Sequence, residues 1–211
     1  MRVILATRNP GKLEEVKNIF SGSGIEIVGM EEAGAVGEGK EDGDTLVDNA
    51  CKKARFVKEQ FPKEWVVADD TGLFVRALNS KPGVHSARWA GENVTTLEIT
   101  RFLLAKMAWV PAGKRHAYFE TVTALFSPEP ENDYFIFSGR VSGVIALQVW
   151  GKAKPGMPYD PVFIPDGRDC TFAEMSPEEK NFLSSRGRAF RTMKEFLESY
   201  LKLDWLTLGL L

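Results

Sequence analysis

The sequence predicts an α/β protein with a mixed β-sheet. Segments with strand and helix patterns alternate in its first half, and two long strand patterns separated by a polar turn follow in its second half. The chain has 211 residues, of which 44% are hydrophobic and 11% aromatic, so it can bury a sizeable core. It contains no internal repeat, low-complexity tract or long linker, and we therefore expect a single domain over residues 1–211.

The first half of the chain begins with residues 2–6, which have the composition of a buried strand, and apolar residues then recur at helical spacing over residues 12–20. A second helix is predicted to begin at Thr45, a typical N-capping residue, and to end at about Pro62. Residues 65–68 form the next predicted strand, which we expect to stop where two carboxylates follow it.

The second half begins with a helix predicted to start near Thr95, followed by two long strands at residues 116–126 and 134–147. The polar turn between these strands predicts a hairpin. A loop rich in glycine and proline and a short strand at residues 162–164 come next. An acidic loop is then expected to lead directly into a C-terminal helix that covers about residues 188–205.

The charge and the apolar pattern limit the partners of the protein. A formal net charge of -2 argues against a general nucleic-acid-binding surface. No stretch approaches the ~20 apolar residues of a membrane span, and the first apolar run is too short for a signal peptide. We therefore expect a cytoplasmic protein that binds a small molecule and has neither a nucleic acid nor a membrane as its partner.

The cysteines and histidines limit the possible metal sites. Cys51 and Cys170 are far apart and outside any C-x-x-C motif, so neither a disulfide framework nor a zinc knuckle is indicated. His85 and His116 are too few for the usual zinc sites. Carboxylates are left as the ligands for any metal, and they favour a hard cation such as Mg²⁺.

Two adjacent carboxylates, Asp69 and Asp70, follow the strand predicted at residues 65–68. Like charges this close repel each other, so at a buried position one of them must bind a proton or a cation must lie nearby. One interpretation is a solvated strand end that turns at Gly72. The other is a metal or phosphate site, which needs partners from elsewhere in the chain.

The first loop, T-R-N-P-G-K at residues 7–12, lies between a strand and a helix and carries a hydroxyl, an amide and two cations. Free N–H groups at the start of a helix attract anions. The loop is not a Walker A motif, because Ala6 occupies the position of the first glycine and Leu13 that of the serine or threonine. An ordinary Asn-Pro-Gly turn is the alternative interpretation.

Two further charged clusters lie beside predicted helices. Glu41 precedes the helix that contains Asp48 and Lys53. Acids at a helix start commonly stabilise its dipole, whereas Glu41 lies outside the helix and is free to act as a ligand. Near the C-terminus, Lys180 and Arg186 lie at a junction of loop and helix that suits a phosphate, although solvated basic residues are the commoner case there.

Taken together, these clusters are motifs in which the chain resembles the inosine triphosphate pyrophosphatase family, also described as XTP/dITP pyrophosphatases. The motifs follow one another along nearly the whole chain: A-T-R-N-P-G-K-L-E-E at 6–15, D-N-A-x-x-K-A at 48–54, A-D-D-T-G-L at 68–73, P-G-V-H-S-A-R-W-A-G at 82–91, Y-D-P-V-F at 159–163, and F-A-E-M-x-x-E-E-K-N at 172–181 with S-R-G-R-A at 185–189. The resemblance implies an elongated, two-lobed α/β fold with a central mixed sheet flanked by helices. It further implies an active-site cleft between the lobes and a homodimer.

The resemblance also implies a reaction and a metal. Asp70 matches the family's general base and, together with Glu41, would hold Mg²⁺ on a nucleoside triphosphate. Asp69 would support these residues from behind, and direct binding of the metal by Asp69 is left open. Water attacks the α-phosphorus in this family, which releases pyrophosphate and leaves the monophosphate. The substrates are deaminated purine nucleotides such as ITP, dITP and XTP.

The same resemblance assigns residues to the two parts of the substrate. The predicted phosphate-binding residues are Thr7, Asn9, Lys12, Lys53, Thr71 and Lys180. The predicted base-binding residues are Met157, Tyr159, Asp160, Ser185 and Arg186. Such contacts act by positioning the phosphate chain and by stabilising charge in the transition state.

The chain departs from the family in the base-binding motifs. The family's G-F-G-Y-D-P reads G-M-P-Y-D-P here, so Met157 occupies the position of the stacking aromatic residue. The family's S-H-R reads S-S-R, so Ser185 occupies the position of a histidine that meets the 6-oxo edge of the base. Losing that donor predicts weaker discrimination against ATP or a shifted base preference.

Several alternatives stay open from sequence. The related Maf-type pyrophosphatases share the fold, but their first motif ends in arginine where this chain has Lys12. A nucleotide-binding regulator without turnover is a second alternative, although Asp70 and Glu41 are both present. A purely structural role for the charged clusters does not account for six ordered motifs. The apolar tail at residues 206–211 either covers a dimer surface or frays.

Overall fold

A computed structural model of the chain describes residues 1–131 and 133–207, the last few of these by backbone alone. Of the apolar tail at residues 206–211, only the backbone of residues 206 and 207 is described, as the end of a helix, so the two interpretations of the tail lie outside the described residues. Within the described residues, every helix is too short or too polar to cross a lipid bilayer.

The described residues form one seven-stranded mixed sheet with helices on both faces, as the sequence predicts. The strands are β1 (Arg2–Leu5), β2 (Glu26–Gly29), β3 (Trp65–Val75), β4 (Lys81–Gly83), β5 (His116–Phe126), β6 (Tyr134–Ile145) and β7 (Phe163–Pro165). The helices are α1 (Pro10–Phe20), α2 (Leu46–Lys58), α3 (Thr96–Lys106), α4 (Pro177–Leu183) and α5 (Ser185–Thr207). The division into two lobes remains a prediction.

The sheet has a parallel part and an antiparallel part. Its strand order is β2-β1-β3-β5-β6-β7, and β4 pairs with β3. Strands β2, β1 and β3 are parallel, whereas β5, β6 and β7 continue the sheet in antiparallel pairs. This arrangement confirms the prediction of helices alternating with strands first and a long hairpin later.

The two faces of the sheet have separate cores because side chains alternate along each strand. Ile4, Val66 and Ala68 face α2 and belong to the same buried cluster as Ala50 and Ala54 of that helix. On the other face lies a cluster to which α1 and α5 contribute, formed by Val3, Val67, Val16, Phe190 and Met193, among others. A third cluster joins α3 to the far end of β3 and β5.

The helices begin where the sequence provides capping residues. The Asn9 side chain caps α1, and Thr45 caps α2 by accepting a hydrogen bond from the N–H of Asp48. Thr95 begins α3 in a capping box with Glu98.

The structure differs from the predicted elements in several places. Strand β3 does not stop at the acid pair but continues to Val75. Strand β2 was not predicted, and the loop expected before the C-terminal helix contains α4, which begins in a capping box between Ser176 and Glu179. Helix α5 begins at Ser185 rather than at about residue 188.

Candidate active site

A cleft of about 260 Å³ lies beside an open edge of β3. Strand β1 pairs with β3 only as far as Val67, and β4 pairs with the strand from Leu73 onwards. The backbone of residues 68–72 is therefore flanked on that edge by loops instead of a strand. The cleft is lined by all of the predicted site residues except Asp69: Thr7, Asn9, Lys12, Glu41, Lys53, Asp70, Thr71, Met157, Tyr159, Asp160, Lys180, Ser185 and Arg186.

Asp69 and Asp70 lie in the middle of β3 and are both buried, with exposures of 2% and 6%. Their side chains point to opposite faces of the sheet, because successive residues of a strand alternate. Asp69 meets groups from α1 and α5, whereas Asp70 meets groups from α2. The solvated strand end turning at Gly72 was therefore the wrong interpretation, and the repulsion between the two carboxylates is countered on each face separately.

Asp69 is held by cations from both ends of the chain. Its Oδ2 lies 3.0 Å from Lys12 Nζ and 3.2 Å from Arg186 Nη2, and it accepts a hydrogen bond of 3.3 Å from the Thr71 hydroxyl. Burial opposes ionisation, but Lys12 and Arg186 outweigh it and hold the pKa of Asp69 well below its usual range. Its Oδ1 is buried and has no hydrogen-bond partner among the residues that the structure describes.

Asp70 lines the cleft and is positioned by α2. Its Oδ2 accepts a hydrogen bond of 3.0 Å from Asn49 Nδ2, and its Oδ1 lies 3.3 Å from Lys53 Nζ. The same ammonium lies 2.8 Å from Glu41 Oε1, and the backbone carbonyl of Glu41 accepts a hydrogen bond from Arg88. Burial favours the neutral amine, but the surrounding carboxylates outweigh it and raise the pKa of Lys53. Glu41 and Asp70 therefore both contact the Lys53 ammonium.

The convergence of Glu41 and Asp70 fits a magnesium ion bound together with a phosphate chain. In the described part of the chain, no group of three or more His, Cys, Asp or Glu side chains is arranged to hold a metal by itself. Magnesium is commonly bound through one or two carboxylates plus substrate phosphates and water. Two carboxylate oxygens that already share one cation, Lys53 Nζ, are a donor set of that kind.

The loop after β1 presents its side chains, rather than free helix N–H groups, to the cleft. Asn9 Oδ1 accepts hydrogen bonds from the N–H groups of Gly11 and Lys12, at 3.0 and 3.2 Å. The expectation of free N–H groups for an anion was therefore wrong at these two residues, because the capping side chain occupies them. The Asn9 amide donates to the carbonyl of Gly156, which ties this loop to the opposite wall.

The opposite wall carries a buried charge network. Glu15 of α1 lies 2.5 Å from Lys180 Nζ and 2.7 Å from Arg186 Nη1, and Lys180 also pairs with Asp160. Burial opposes ionisation of Glu15, but the two cations lower its pKa below the usual range. The structure thus places the predicted residues Lys180 and Arg186 on the Glu15 carboxylate, and Lys180 joins Glu15 to the predicted residue Asp160.

Sequence reasoning missed the site roles of Glu15 and Asn49. Both lie inside quoted motifs, Glu15 three residues after Lys12 and Asn49 four residues before Lys53. In a helix, residues three or four apart share a face. That spacing was the available indication that each would point toward the same site as its lysine.

The far end of the cleft is more apolar and contains the predicted base-binding residues. Met157 is buried, and its sulfur faces Arg186 Nη1 at 3.9 Å. The Tyr159 hydroxyl donates to the carbonyl of Ser86. Two phenylalanine rings complete the lining: Phe119 and Phe172. A flat base would meet these apolar surfaces, and Asp160, Ser185 and Arg186 add polar groups to the same lining.

A sequence model of the Ham1 family matches residues 3–196 of the chain. The chain belongs to the Ham1 family. It is 44% identical over 197 residues to the dITP/XTP pyrophosphatase of Caldanaerobacter subterraneus subsp. tengcongensis, a match that covers 93% of this chain and 96% of that protein. It is 43% identical over 196 residues to the dITP/XTP pyrophosphatase of Porphyromonas gingivalis, covering 93% and 97%.

Solved structures of the Ham1 family agree with the fold. The HAM1 protein of Coxiella burnetii superposes with a TM-score of 0.81 at 35% identity, covering 94% of this chain and 99% of that one. The Staphylococcus aureus Ham1 protein gives a TM-score of 0.79 at 34% identity, covering 95% and 100%. The family resemblance inferred from the ordered motifs is thereby confirmed.

Proposed function

We propose that the protein is a Mg²⁺-dependent nucleoside triphosphate pyrophosphatase that hydrolyses ITP, dITP and XTP to the monophosphate and pyrophosphate, and so removes deaminated purines from the nucleotide pool. The observation that carries the proposal is the carboxylate of Asp70, which lies in the cleft between Lys53 and Asn49 and beside Glu41. The two relatives named dITP/XTP pyrophosphatases support the same reaction.

The reaction needs a base, a water molecule and compensation of the phosphate charge. Asp70 takes a proton from water, and the water oxygen forms a bond to the α-phosphorus. The bond from the α-phosphorus to the oxygen that bridges it to the β-phosphorus breaks, and pyrophosphate leaves with the electron pair. Asn49 fixes the orientation of the Asp70 carboxylate through Oδ2.

The lysines stabilise the phosphate charge that moves during this step. Lys53 touches Asp70 and Glu41, and Lys12 lines the same cleft. Together with Thr7, Asn9, Thr71 and Lys180, they form the proposed phosphate-binding residues. Glu41 and Asp70 would hold the Mg²⁺, which supplies positive charge to the phosphate oxygens.

The proposed base-binding residues are where this chain differs from the family. The apolar end of the cleft, with Met157 and Tyr159, is the proposed base site, and Asp160 helps to build it by pairing with Lys180. Because Ser185 occupies the position of the family's histidine, the same hydrolysis acting mainly on another nucleoside triphosphate is the second candidate function.

The proposed enzyme is a cytoplasmic homodimer whose partner is its nucleotide, with no nucleic acid or membrane bound. The homodimer rests on the family resemblance, and the weak net charge of -2 supports the absence of nucleic acid. Light scattering after size-exclusion chromatography tests the dimer: a mass near twice 23.5 kDa is expected, and a mass near 23.5 kDa contradicts it.

A nucleotide panel tests the proposed function. The purified protein is incubated with Mg²⁺ and, separately, with ITP, dITP, XTP, GTP, ATP and dTTP, and released pyrophosphate and orthophosphate are measured. Pyrophosphate mainly from ITP, dITP and XTP is expected. Pyrophosphate mainly from another nucleotide supports the second candidate function. No release from any of them contradicts both and favours a nucleotide-binding regulator.

A further inference from the structure

A chain of three hydroxyl groups runs from Asp69 to the base end of the cleft. Thr71 Oγ1 lies 3.3 Å from Asp69 Oδ2 and 2.9 Å from Thr121 Oγ1, and Thr121 Oγ1 lies 2.8 Å from Ser185 Oγ. Thr121 is fully buried, and Ser185 is only 3% exposed. Ser185 lines the cleft, so this row of hydroxyl groups ends at the proposed base site.

When Thr121 uses its proton within the row of hydroxyl groups, its two bonds run in the same direction. A hydroxyl group has one proton and two lone pairs, so Thr121 cannot donate to both neighbours; if it donates to one, it accepts from the other. Either Ser185 donates to Thr121 and Thr121 to Thr71, or the order is reversed. In the first direction Ser185 shows only lone pairs to the cleft, and in the second it shows its proton.

Asp69 sets the direction. Its Oδ2 already accepts from Lys12 Nζ at 3.0 Å and from Arg186 Nη2 at 3.2 Å, two groups that can only donate, so this oxygen is an acceptor for the Thr71 hydroxyl as well. A carboxylate oxygen attracts a hydroxyl proton more strongly than a neutral hydroxyl oxygen does. The proton of Thr71 therefore goes to Asp69, so Thr121 donates to Thr71, and Ser185 donates to Thr121.

Arg186 supplies the complementary group beside Ser185. Its Nε and Nη2 donate to Asp69 and Thr71, and its Nη1 donates to Glu15. The remaining contact of Nη1 is the Met157 sulfur at 3.9 Å, which is a weak acceptor. A substrate oxygen can replace this sulfur as the acceptor of the Nη1 hydrogen bond, with a smaller loss of free energy than at any of the other Arg186 bonds. The cleft lining thus offers a hydrogen-bond donor from Arg186 beside an acceptor from Ser185.

We propose that Ser185, oriented by Thr121 and Thr71, acts as a hydrogen-bond acceptor that selects bases with a ring N–H next to an oxo group. This inference rests on the proposed function, which supplies the base site. Hypoxanthine, xanthine and guanine carry such an N–H, whereas adenine has a bare ring nitrogen that would face the Ser185 lone pairs. Ser185 therefore rejects ATP, while the choice between ITP and GTP lies with other groups.

Thr121 is the positioning residue that the test removes. Thr121→Val keeps the shape of the side chain but leaves the Ser185 proton free to turn toward the cleft. Thr121→Ser keeps the hydroxyl and is the rescue variant. Thr123→Val is the matched control, because Thr123 is equally buried on the same face of β5 and its hydroxyl bonds only to the Phe137 carbonyl among the described contacts.

Calorimetric binding of ITP and ATP with Mg²⁺ is measured for each variant in an Asp70→Asn background, so that neither nucleotide is consumed. We expect ITP to bind more tightly than ATP, and Thr121→Val to reduce this ratio about tenfold, which corresponds to about 1.4 kcal/mol. Thr121→Ser and Thr123→Val should keep the ratio. The melting temperature of each variant shows that it is folded.

An unchanged ratio in Thr121→Val, or no preference for ITP when Thr121 is intact, overturns the proposed selection by Ser185. These outcomes are separate from the proposed function, because the nucleotide panel measures pyrophosphate release by the unmodified protein. Release of pyrophosphate from ITP together with an unchanged binding ratio removes the role of the hydroxyl chain and leaves the hydrolysis in place. A lowered ratio without pyrophosphate release supports the hydroxyl chain and contradicts the hydrolysis.

Discussion

Asp69 and Asp70 are sequence neighbours with separate partners. Asp69 binds Lys12 and Arg186 on one face of the sheet, and Asp70 meets Asn49 and Lys53 on the other. Asp69 thereby holds cations and a hydroxyl beside the cleft, whereas Asp70 lines the cleft itself. The two residues should therefore respond differently to the same substitution.

Asp70→Asn should abolish turnover while nucleotide binding is kept. The amide cannot take a proton from water, and general-base catalysis typically contributes about 10²–10⁴-fold to the rate. Pyrophosphate release and calorimetric binding of ITP are measured on the same preparation. Asp166→Asn, at an exposed acid outside the cleft, should behave like the unmodified protein. A variant that keeps a near-normal rate excludes Asp70 as the base.

Asp69→Asn should instead destabilise the fold, by about 3–5 kcal/mol, because Lys12 and Arg186 lose their buried counter-ion. The free energy of unfolding by urea measures this loss at neutral pH. The same substitution at Asp166 is again the control. A loss below about 1 kcal/mol would show that the charge pairs around Asp69 contribute little to stability.

The stability of the unmodified protein should also fall in acid. The pKa of Asp69 is lower in the folded than in the unfolded protein, so the unfolded chain binds the proton first. The stabilisation is complete above the unfolded pKa of about 3.9 and is lost progressively as the pH falls below it. Urea unfolding from about pH 6 to pH 3 should therefore show a smaller pH dependence for Asp69→Asn. Equal slopes for the two proteins contradict this assignment.

The predicted site residues could be named from their motifs, but their contacts could not. The partners of Asp69 come from α1 and α5, which are at opposite ends of the sequence. Thr121 has no motif of its own and enters the site only because β5 pairs with β3 so that it lies opposite Thr71. Contacts set by strand register and by helix packing are not visible in local sequence patterns.

At the scale of elements, the start of α5 comes close to β6 at Gly139. A methyl group at this position would lie 2.7 Å from the backbone nitrogen of Ala189 and would also meet the carbonyl of Ser185. Both contacts are backbone atoms, which cannot move aside without shifting the helix. Gly139 therefore allows α5 to place Ser185 and Arg186 in the cleft.

Gly139→Ala should lower both stability and affinity for ITP. Overpacking of this kind costs about 1–3 kcal/mol, and each kcal/mol lowers the melting temperature by about 2–4 °C for a chain of this size. Gly113→Ala is the control, because a methyl group there meets nothing within 4 Å. Calorimetry gives the melting temperature and the ITP affinity. If Gly139→Ala matches the control in both, α5 does not depend on this close approach.

The elements that sequence reasoning missed are short or interrupted by charge. Strand β2 has four residues, and α4 has seven, so each shows only about two periods of its pattern. Strand β3 was ended too early because buried carboxylates are uncommon in a strand without cations nearby. Long elements with clear periodicity and caps, such as α2 and α3, begin where they were predicted to begin, although α2 ends at Lys58 rather than at about Pro62.

At the scale of the whole molecule, the cleft results from the change of strand direction in the sheet. Strand β3 is shared by the parallel strands on one side and the antiparallel hairpin on the other, and it runs beyond the end of β1. The loops that precede α1 and α2, and the segment before α4, meet at that unpaired edge. The position of the cleft thus follows from topology, which the alternation of elements predicted only in outline.

The most direct test of the proposed hydrolysis follows the oxygen atom of the attacking water. The protein is incubated with ITP and Mg²⁺ in water enriched in the heavy oxygen isotope, and the products are analysed by mass spectrometry. Attack on the α-phosphorus predicts the heavy isotope in the inosine monophosphate and none in the pyrophosphate. Heavy oxygen in pyrophosphate, or in orthophosphate as the main product, would contradict the account, because the water would then attack a different phosphorus.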